Sequence, residues 1–200
     1  TLKSKHWNHI LRPRRTKQSI DLAVNTICFR STSLNFPKMK HVLITGASTG
    51  IGFAAAEAFL AKGYHVYGSV RKESDATQLQ EKLGKHFTPL LFDVTDGPAI
   101  TAAAKKVEAE IGKEGLACLI NNAGVAVSGP MELLPIDDLR FQFEVNLFGL
   151  MAVTQAFLPL LGAKTNPGHA PGRIIMISSV GGKLVAPFLG PYSASKHALE

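Results

Sequence analysis

From Met39 onward the chain alternates short apolar runs with longer stretches of helical pattern, and this alternation restricts the possible fold more than any other feature. His41–Thr45 (HVLIT) reads as a strand, and Ile51–Lys62, rich in alanine and closed by Gly63, reads as a helix. The pattern repeats as strand His65–Val70, polar helix Asp75–Leu83, strand Thr88–Phe92, helix Ala99–Ile111 and strand Leu116–Ile120. After a loop rich in Gly and Pro come a long helix from about Asp137 to Leu161, a turn-rich link and strand Arg173–Ile177. A second Gly/Pro loop then leads to a helix beginning near Tyr192. Strands that are apolar on both faces and separated by helices pair in parallel, with helices covering each side. The expectation is a doubly wound α/β domain that binds its ligand beyond the carboxyl ends of its strands.

Composition narrows the class without naming a function. With 46% hydrophobic and 18% charged residues among 200, and a mean hydropathy of +0.11, the chain reads as globular and not as disordered or fibrous. Two cysteines, Cys28 and Cys118, cannot form a disulfide framework, so a reduced, cytoplasmic protein is the default. The apolar stretch Leu147–Leu161 is shorter than a bilayer requires and holds Gln155 and Pro159; it reads as a core helix, and no membrane partner is expected. The formal charge of +7 comes from the first forty residues, where nine Lys or Arg face a single acid, Asp21. Residues 1–38 are therefore set apart as a basic segment, and the folded domain is expected over 39–200. The segment reads as an upstream stretch, as a targeting presequence, or as a nucleic-acid or membrane arm. A nucleic-acid footprint belongs on a folded face, and the rest of the chain is nearly neutral, so no nucleic-acid partner is expected. The seven histidines form no H-E-x-x-H motif, and no metal site is expected.

The candidate functional residues fall at strand ends. Between the first strand and helix lies Thr45-Gly46-Ala47-Ser48-Thr49-Gly50-Ile51-Gly52, where a tight turn would aim backbone N–H groups and the positive end of a helix at a phosphate. Three residues separate Gly46 from Gly50, so this is neither G-x-G-x-x-G nor a Walker A loop. The second strand ends in Val70 with Arg71 and Lys72 following; an Arg there suits a 2′-phosphate and favours NADP(H) over NAD(H). The competing reading is that Arg71 and Lys72 merely solvate a loop. The third strand ends Phe92-Asp93-Val94, a carboxylate placed to accept from an adenine amino group. The fourth ends Asn121-Asn122-Ala123-Gly124, small residues that leave room for a flat ring, with the asparagines also able to serve as turn formers. In the last quarter Ser179 follows the fifth strand, and Tyr192 and Lys196 share one helix face at i and i+4. A phenol is a poor acid–base group at neutral pH, and an adjacent ammonium shifts it toward the working range.

Taken together, Thr45-Gly46-x-x-x-Gly50-Ile51-Gly52, Asp93, Asn121-Asn122-Ala123-Gly124, Asn146, Ser179 and Tyr192-x-x-x-Lys196 resemble the main soluble subgroup of the short-chain dehydrogenase/reductase family. The likeness runs from about Met39 to Glu200. It implies a Rossmann-like doubly wound parallel sheet and NAD(P)-linked interconversion of a carbonyl and a secondary alcohol. Tyr192 would be the acid or base, and Ser179 would position the substrate oxygen. Lys196 would bond the nicotinamide ribose and tune Tyr192, and Asn146 would hold a water in a proton relay. Gly46, Ser48, Thr49, Gly50, Ile51, Gly52, Arg71, Asp93, Val94, Asn121, Ala123 and Gly124 would surround the cofactor. A homo-oligomer is implied for the full-length protein. The alternative from another class is a non-catalytic dinucleotide-binding module or sensor. Family members continue beyond the position of Glu200 with two more strands and a substrate loop. The fold is therefore expected to be incomplete at its C-terminal end, with an uncovered sheet edge, and the substrate is not specified.

Overall fold

The computed structural model describes residues 39–162 and 171–200. The basic segment 1–38 and most of the turn-rich link lie outside the described residues. Five parallel strands form one sheet in the order β3-β2-β1-β4-β5: β1 (His41–Ile44), β2 (His65–Val70), β3 (Phe87–Leu91), β4 (Leu116–Asn121) and β5 (Arg173–Met176). β1 lies at the centre, with His41 opposite His65 on one side and Ile44 opposite Ile120 on the other. The order of connection reverses between β1 and β4, the switch point at which doubly wound sheets open a crevice.

Helices α1 (Gly50–Ala61), α2 (Glu73–Leu83) and α3 (Gly97–Ile111) make the crossovers. Successive strand residues face opposite sides of the sheet, so full burial of Val42, Leu43 and Ile44 requires cover on both sides. One face packs Leu43, Tyr67, Leu90 and Leu119 against Ile100, Val107, Val153 and Phe157. The start of α3 is fixed locally: Asp96 accepts from Ala99 N at 3.0 Å and a proline follows in the first turn.

The element order agrees with the pattern read from sequence, with boundaries displaced by a residue or two. The exception is the long helix expected over Asp137–Leu161. It is α4 (Ile136–Phe143), a π-helical stretch over Glu144–Gly149, α5 (Leu150–Phe157) and a 3₁₀ turn over Leu158–Leu161. Pro159, with no N–H to donate, accounts for the tightening at the end. The π stretch carries Asn146, in keeping with the concentration of such bulges at functional sites. By length and composition Ile136–Leu161 could cross a membrane, and half of its apolar window is buried within the fold. α6 (Gly190–His197) follows β5 and a 3₁₀ turn over Val180–Gly182. Among the described residues no strand covers the outer side of β5, where Ile174 and Met176 are 38% and 40% exposed.

Candidate active site

The turns after β1 and β4 are bolted together at the switch point. Thr45 Oγ1 accepts from the N–H groups of Asn122 and Ala123, both at 2.9 Å, and Asn122 Nδ2 donates to the carbonyls of Thr45 (2.9 Å) and Gly46 (3.1 Å). Ser69 of β2 holds the same turn from the other side, accepting from Gly46 N at its Oγ (3.0 Å) and from Ala47 N at its carbonyl (2.9 Å). Gly52 brings α1 directly onto this turn: a Cβ there would overlap the Gly46 carbonyl oxygen and stand 2.5 Å from Asn122 Nδ2. Unlike Asp96 at α3, Thr49 gives α1 no side-chain cap. The first N–H groups of α1 therefore remain available to a ligand.

These elements enclose a cleft of about 300 Å³. Of the residues expected around a cofactor, Gly46, Ser48, Thr49, Ile51, Arg71, Asp93, Val94, Ala123 and Gly124 line it. Gly50, at φ 60° and exposed, and Gly52, packed against the turn, do not line it. Asn121 is not brought into the cleft. Its side chain is 2% exposed and donates from Nδ2 to Thr154 Oγ1 at 2.9 Å, because alternation along β4 turns it toward α5 while Asn122 faces the turn. Arg71 Nη1 lies 4.0 Å from Asp93 Oδ2, with the Arg71 side chain 71% exposed and able to swing onto an anion at the rim. Asp93 is itself fixed, its Oδ1 accepting from Thr95 N (2.9 Å) and Thr95 Oγ1 (2.8 Å). An uncapped helix N-terminus, a glycine at φ 66° and a cationic rim fit the phosphates of a dinucleotide.

Of the acid–base candidates, Asn146 and Lys196 approach the Gly124 end of this cleft. Lys196 Nζ donates to the Ile177 carbonyl at 2.8 Å and stands 5.9 Å from the centre of the Tyr192 ring. Burial holds the Lys196 ammonium below the usual lysine pKa. Ser179 and Tyr192 face one another across Gly181. A Cβ on Gly181 would lie 3.0 Å from Tyr192 Cε1 and 3.5 Å from Ser179 Oγ. Ser179 Oγ accepts from Gly181 N at 3.1 Å, which leaves its own hydrogen for donation. Asn146 Oδ1 accepts from Val125 N (2.8 Å), and its Nδ2 donates to Val125 O (2.9 Å) and Ser195 Oγ (3.0 Å). Both amide hydrogens of Asn146 are thus spent on protein groups, and only Oδ1 retains a lone pair for a water. Asn146 Oδ1 and Lys196 Nζ lie 3.2 and 3.8 Å from the point a Gly124 Cβ would occupy, so both approach the same edge of the cleft.

Four supporting residues escaped the reading of motifs: Thr45 as an acceptor, Ser69, Gln142 and Ser195. Ser195 Oγ donates to the Tyr192 carbonyl at 2.8 Å and so joins Asn146 to the Tyr192 turn. The available signals were a hydroxyl at the end of an apolar strand (Ser69) and an amide one helical turn before Asn146 (Gln142).

Residues 40–200 match the family model for short chain dehydrogenase. The chain is 49% identical over 162 residues to the NADPH-dependent 3-dehydrocapnine reductase of Ornithobacterium rhinotracheale, covering 81% of this chain and 57% of that protein. It is 42% identical to dehydrogenase/reductase SDR family member 9 of Homo sapiens, covering 80% and 49%. The crystal structure of a short-chain dehydrogenase from Streptomyces avermitilis superposes with a TM-score of 0.74 at 35% identity, covering 82% of this chain and 58% of that one. The chain thus spans about half the length of the curated relatives it matches. With the glycine turn and the Tyr192–Lys196 helix both inside the matched region, the chain belongs to the short-chain dehydrogenase family.

Proposed function

We propose that the full-length protein is an NADP(H)-dependent oxidoreductase that moves a hydride between the nicotinamide and a carbonyl or secondary alcohol, with Tyr192 as general acid and base. The observation that carries this reading is the grouping of three side chains: Lys196 Nζ stands 3.8 Å from the point a Gly124 Cβ would occupy and 5.9 Å from the centre of the Tyr192 ring, and Tyr192 and Ser179 flank Gly181. When bound, NADPH supplies the hydride to the carbonyl carbon. Ser179 donates its free hydrogen to the substrate oxygen and fixes its position. Tyr192 delivers a proton to that oxygen as the C=O bond becomes C–OH, and the reverse direction returns the proton to Tyr192. Lys196, held by the Ile177 carbonyl, places its ammonium 5.9 Å from the centre of the Tyr192 ring. Asn146 orders the Val125 main chain and the Tyr192 turn around it.

Two facts support NADP(H) over NAD(H). Arg71 stands at the cleft rim after β2, where a bidentate cation suits a 2′-phosphate, and the relative from Ornithobacterium is described as NADPH-dependent. A homo-oligomer has a surface to draw on in Phe141, Phe148 and Met151, all exposed on the α4–α5 helix. The test is a coupled screen of NADPH oxidation by the full-length protein against small ketones, aldehydes and quinones. Turnover with at least one carbonyl class is expected. Tight NADPH binding with no hydride transfer to any of them would favour a sensor instead.

A further inference from the structure

We infer that Gln142 is a positioning residue for this reaction: its buried amide pins the main chain at Val125 and Val127, and thereby sets the orientation of Asn146 and of the Tyr192 turn. The inference rests on the oxidoreductase reading above. Gln142 lies on α4 with no exposed surface, and a buried amide without partners is costly. Both of its ends are used. Oε1 accepts from Val127 N at 2.6 Å, and Nε2 donates to Val125 O at 2.6 Å. A carbonyl and an N–H two residues apart are the pair an adjacent parallel strand would take, so the side chain stands in for a missing strand neighbour.

Four residues further on, across the start of the π stretch, Asn146 grips both the N–H and the carbonyl of Val125. The Val125 carbonyl therefore receives two hydrogen bonds, one from each amide, and its lone pairs are filled. Flipping the Asn146 amide would set Nδ2 against the Val125 N–H and Oδ1 against the Val125 carbonyl. Its polarity is consequently locked, provided Val125 does not move. Locked in this sense, Asn146 must donate to Ser195 Oγ, which passes its own hydrogen to the Tyr192 carbonyl. The connection from Gln142 to Tyr192 is thus continuous and of fixed direction. Val125 and Val145 line the cleft beside Gly124, so a shift of this segment acts where Asn146 and Lys196 converge and not directly on the Arg71 rim.

The test uses the full-length protein. Gln142→Met keeps the length and apolar stem of the side chain and removes both hydrogen bonds. Gln142→Glu keeps the acceptor for Val127 N but donates to Val125 only when protonated. In Gln142→Met, kcat is expected to fall by roughly 10²-fold, the scale of a misplaced catalytic group, while the affinity for 2′,5′-ADP, a probe of the Arg71 end, stays at the wild-type value. In Gln142→Glu, kcat relative to wild type is expected to recover as pH is lowered, because protonation restores the donor. Wild-type kcat in Gln142→Met, a proportionate loss of kcat and 2′,5′-ADP affinity, or absence of acid recovery in Gln142→Glu would each overturn the inference. Should Gln142→Met fail to fold, the pH profile of Gln142→Glu decides alone. The wild type and Tyr192→Phe serve as references: no turnover in the wild type removes the oxidoreductase reading itself, turnover kept in Tyr192→Phe removes Tyr192 as the acid–base group, and turnover lost there but kept in Gln142→Met removes only the role of Gln142.

Discussion

Gly52→Ala should damage both stability and nucleotide binding, and the structure gives the size. The added methyl overlaps the Gly46 carbonyl oxygen, stands 2.5 Å from Asn122 Nδ2 and 2.9 Å from the Gly46 carbonyl carbon. All three atoms belong to the bolted turn, and none is the free end of a flexible chain. Overpacking against such a wall costs about 1–3 kcal/mol, here toward the upper end. Displacing Asn122 Nδ2 from the Gly46 carbonyl forfeits about 1 kcal/mol more. The better helix propensity of alanine returns at most about 1 kcal/mol. The net expectation is a loss of about 2–3 kcal/mol, read as a lower denaturant midpoint at unchanged m-value in the full-length protein. Moving the turn also moves the N–H groups of α1, so the NADPH dissociation constant should rise by at least about tenfold, equivalent to 1.4 kcal/mol. Gly97→Ala is the control: no atom lies within 4 Å of its Cβ position in the first turn of α3, and its stability should stay within about 0.5 kcal/mol of wild type. If Gly52→Ala matched Gly97→Ala in both measurements, the close packing of α1 on the turn would be refuted.

Two further outcomes follow from charge. Arg71→Ala should weaken NADPH binding far more than NADH binding, measured by titrating each cofactor; equal losses would remove Arg71 from the 2′-phosphate. At the opposite end of the sheet, His65 is held below the usual histidine pKa, chiefly by burial, then by His41 and His86, with Glu110 acting in the other direction. Between the depressed folded value and the unfolded value of about 6.5 the unfolded chain binds more protons, so stability is present above that pH and declines as pH falls below it. His65→Gln should flatten that decline in urea titrations between neutral and mildly acid pH, and an unaltered slope would assign it to other groups.

The parallel sheet was legible in sequence because strands covered on both faces leave near-continuous apolar runs, as in His41–Thr45. The glycine turn was legible because the spacing of Gly46, Gly50 and Gly52 serves backbone approach, which side-chain chemistry cannot disguise. Asn121 and Asn122 show where the reading ran out. Two identical neighbours at a strand end divide between the α5 side and the turn by the alternation of the strand, and a one-residue uncertainty in the end of β4 exchanges them. Gln142 was illegible for another reason: its partners are main-chain groups of Val125 and Val127, which carry no residue-type signature. The π stretch at Glu144–Gly149 was equally hidden, since apolar periodicity does not separate it from α-helix over so few residues.

In the proposed reaction Tyr192 hands a proton to a carbonyl oxygen while hydride arrives at the carbon. Single-turnover hydride transfer from NADPH in full-length Tyr192→Phe, with NADPH affinity measured in parallel, tests this most directly. The rate should fall by at least about 10²- to 10⁴-fold, the usual contribution of positioned proton transfer, with affinity preserved. Hydride transfer at the wild-type rate would contradict the account.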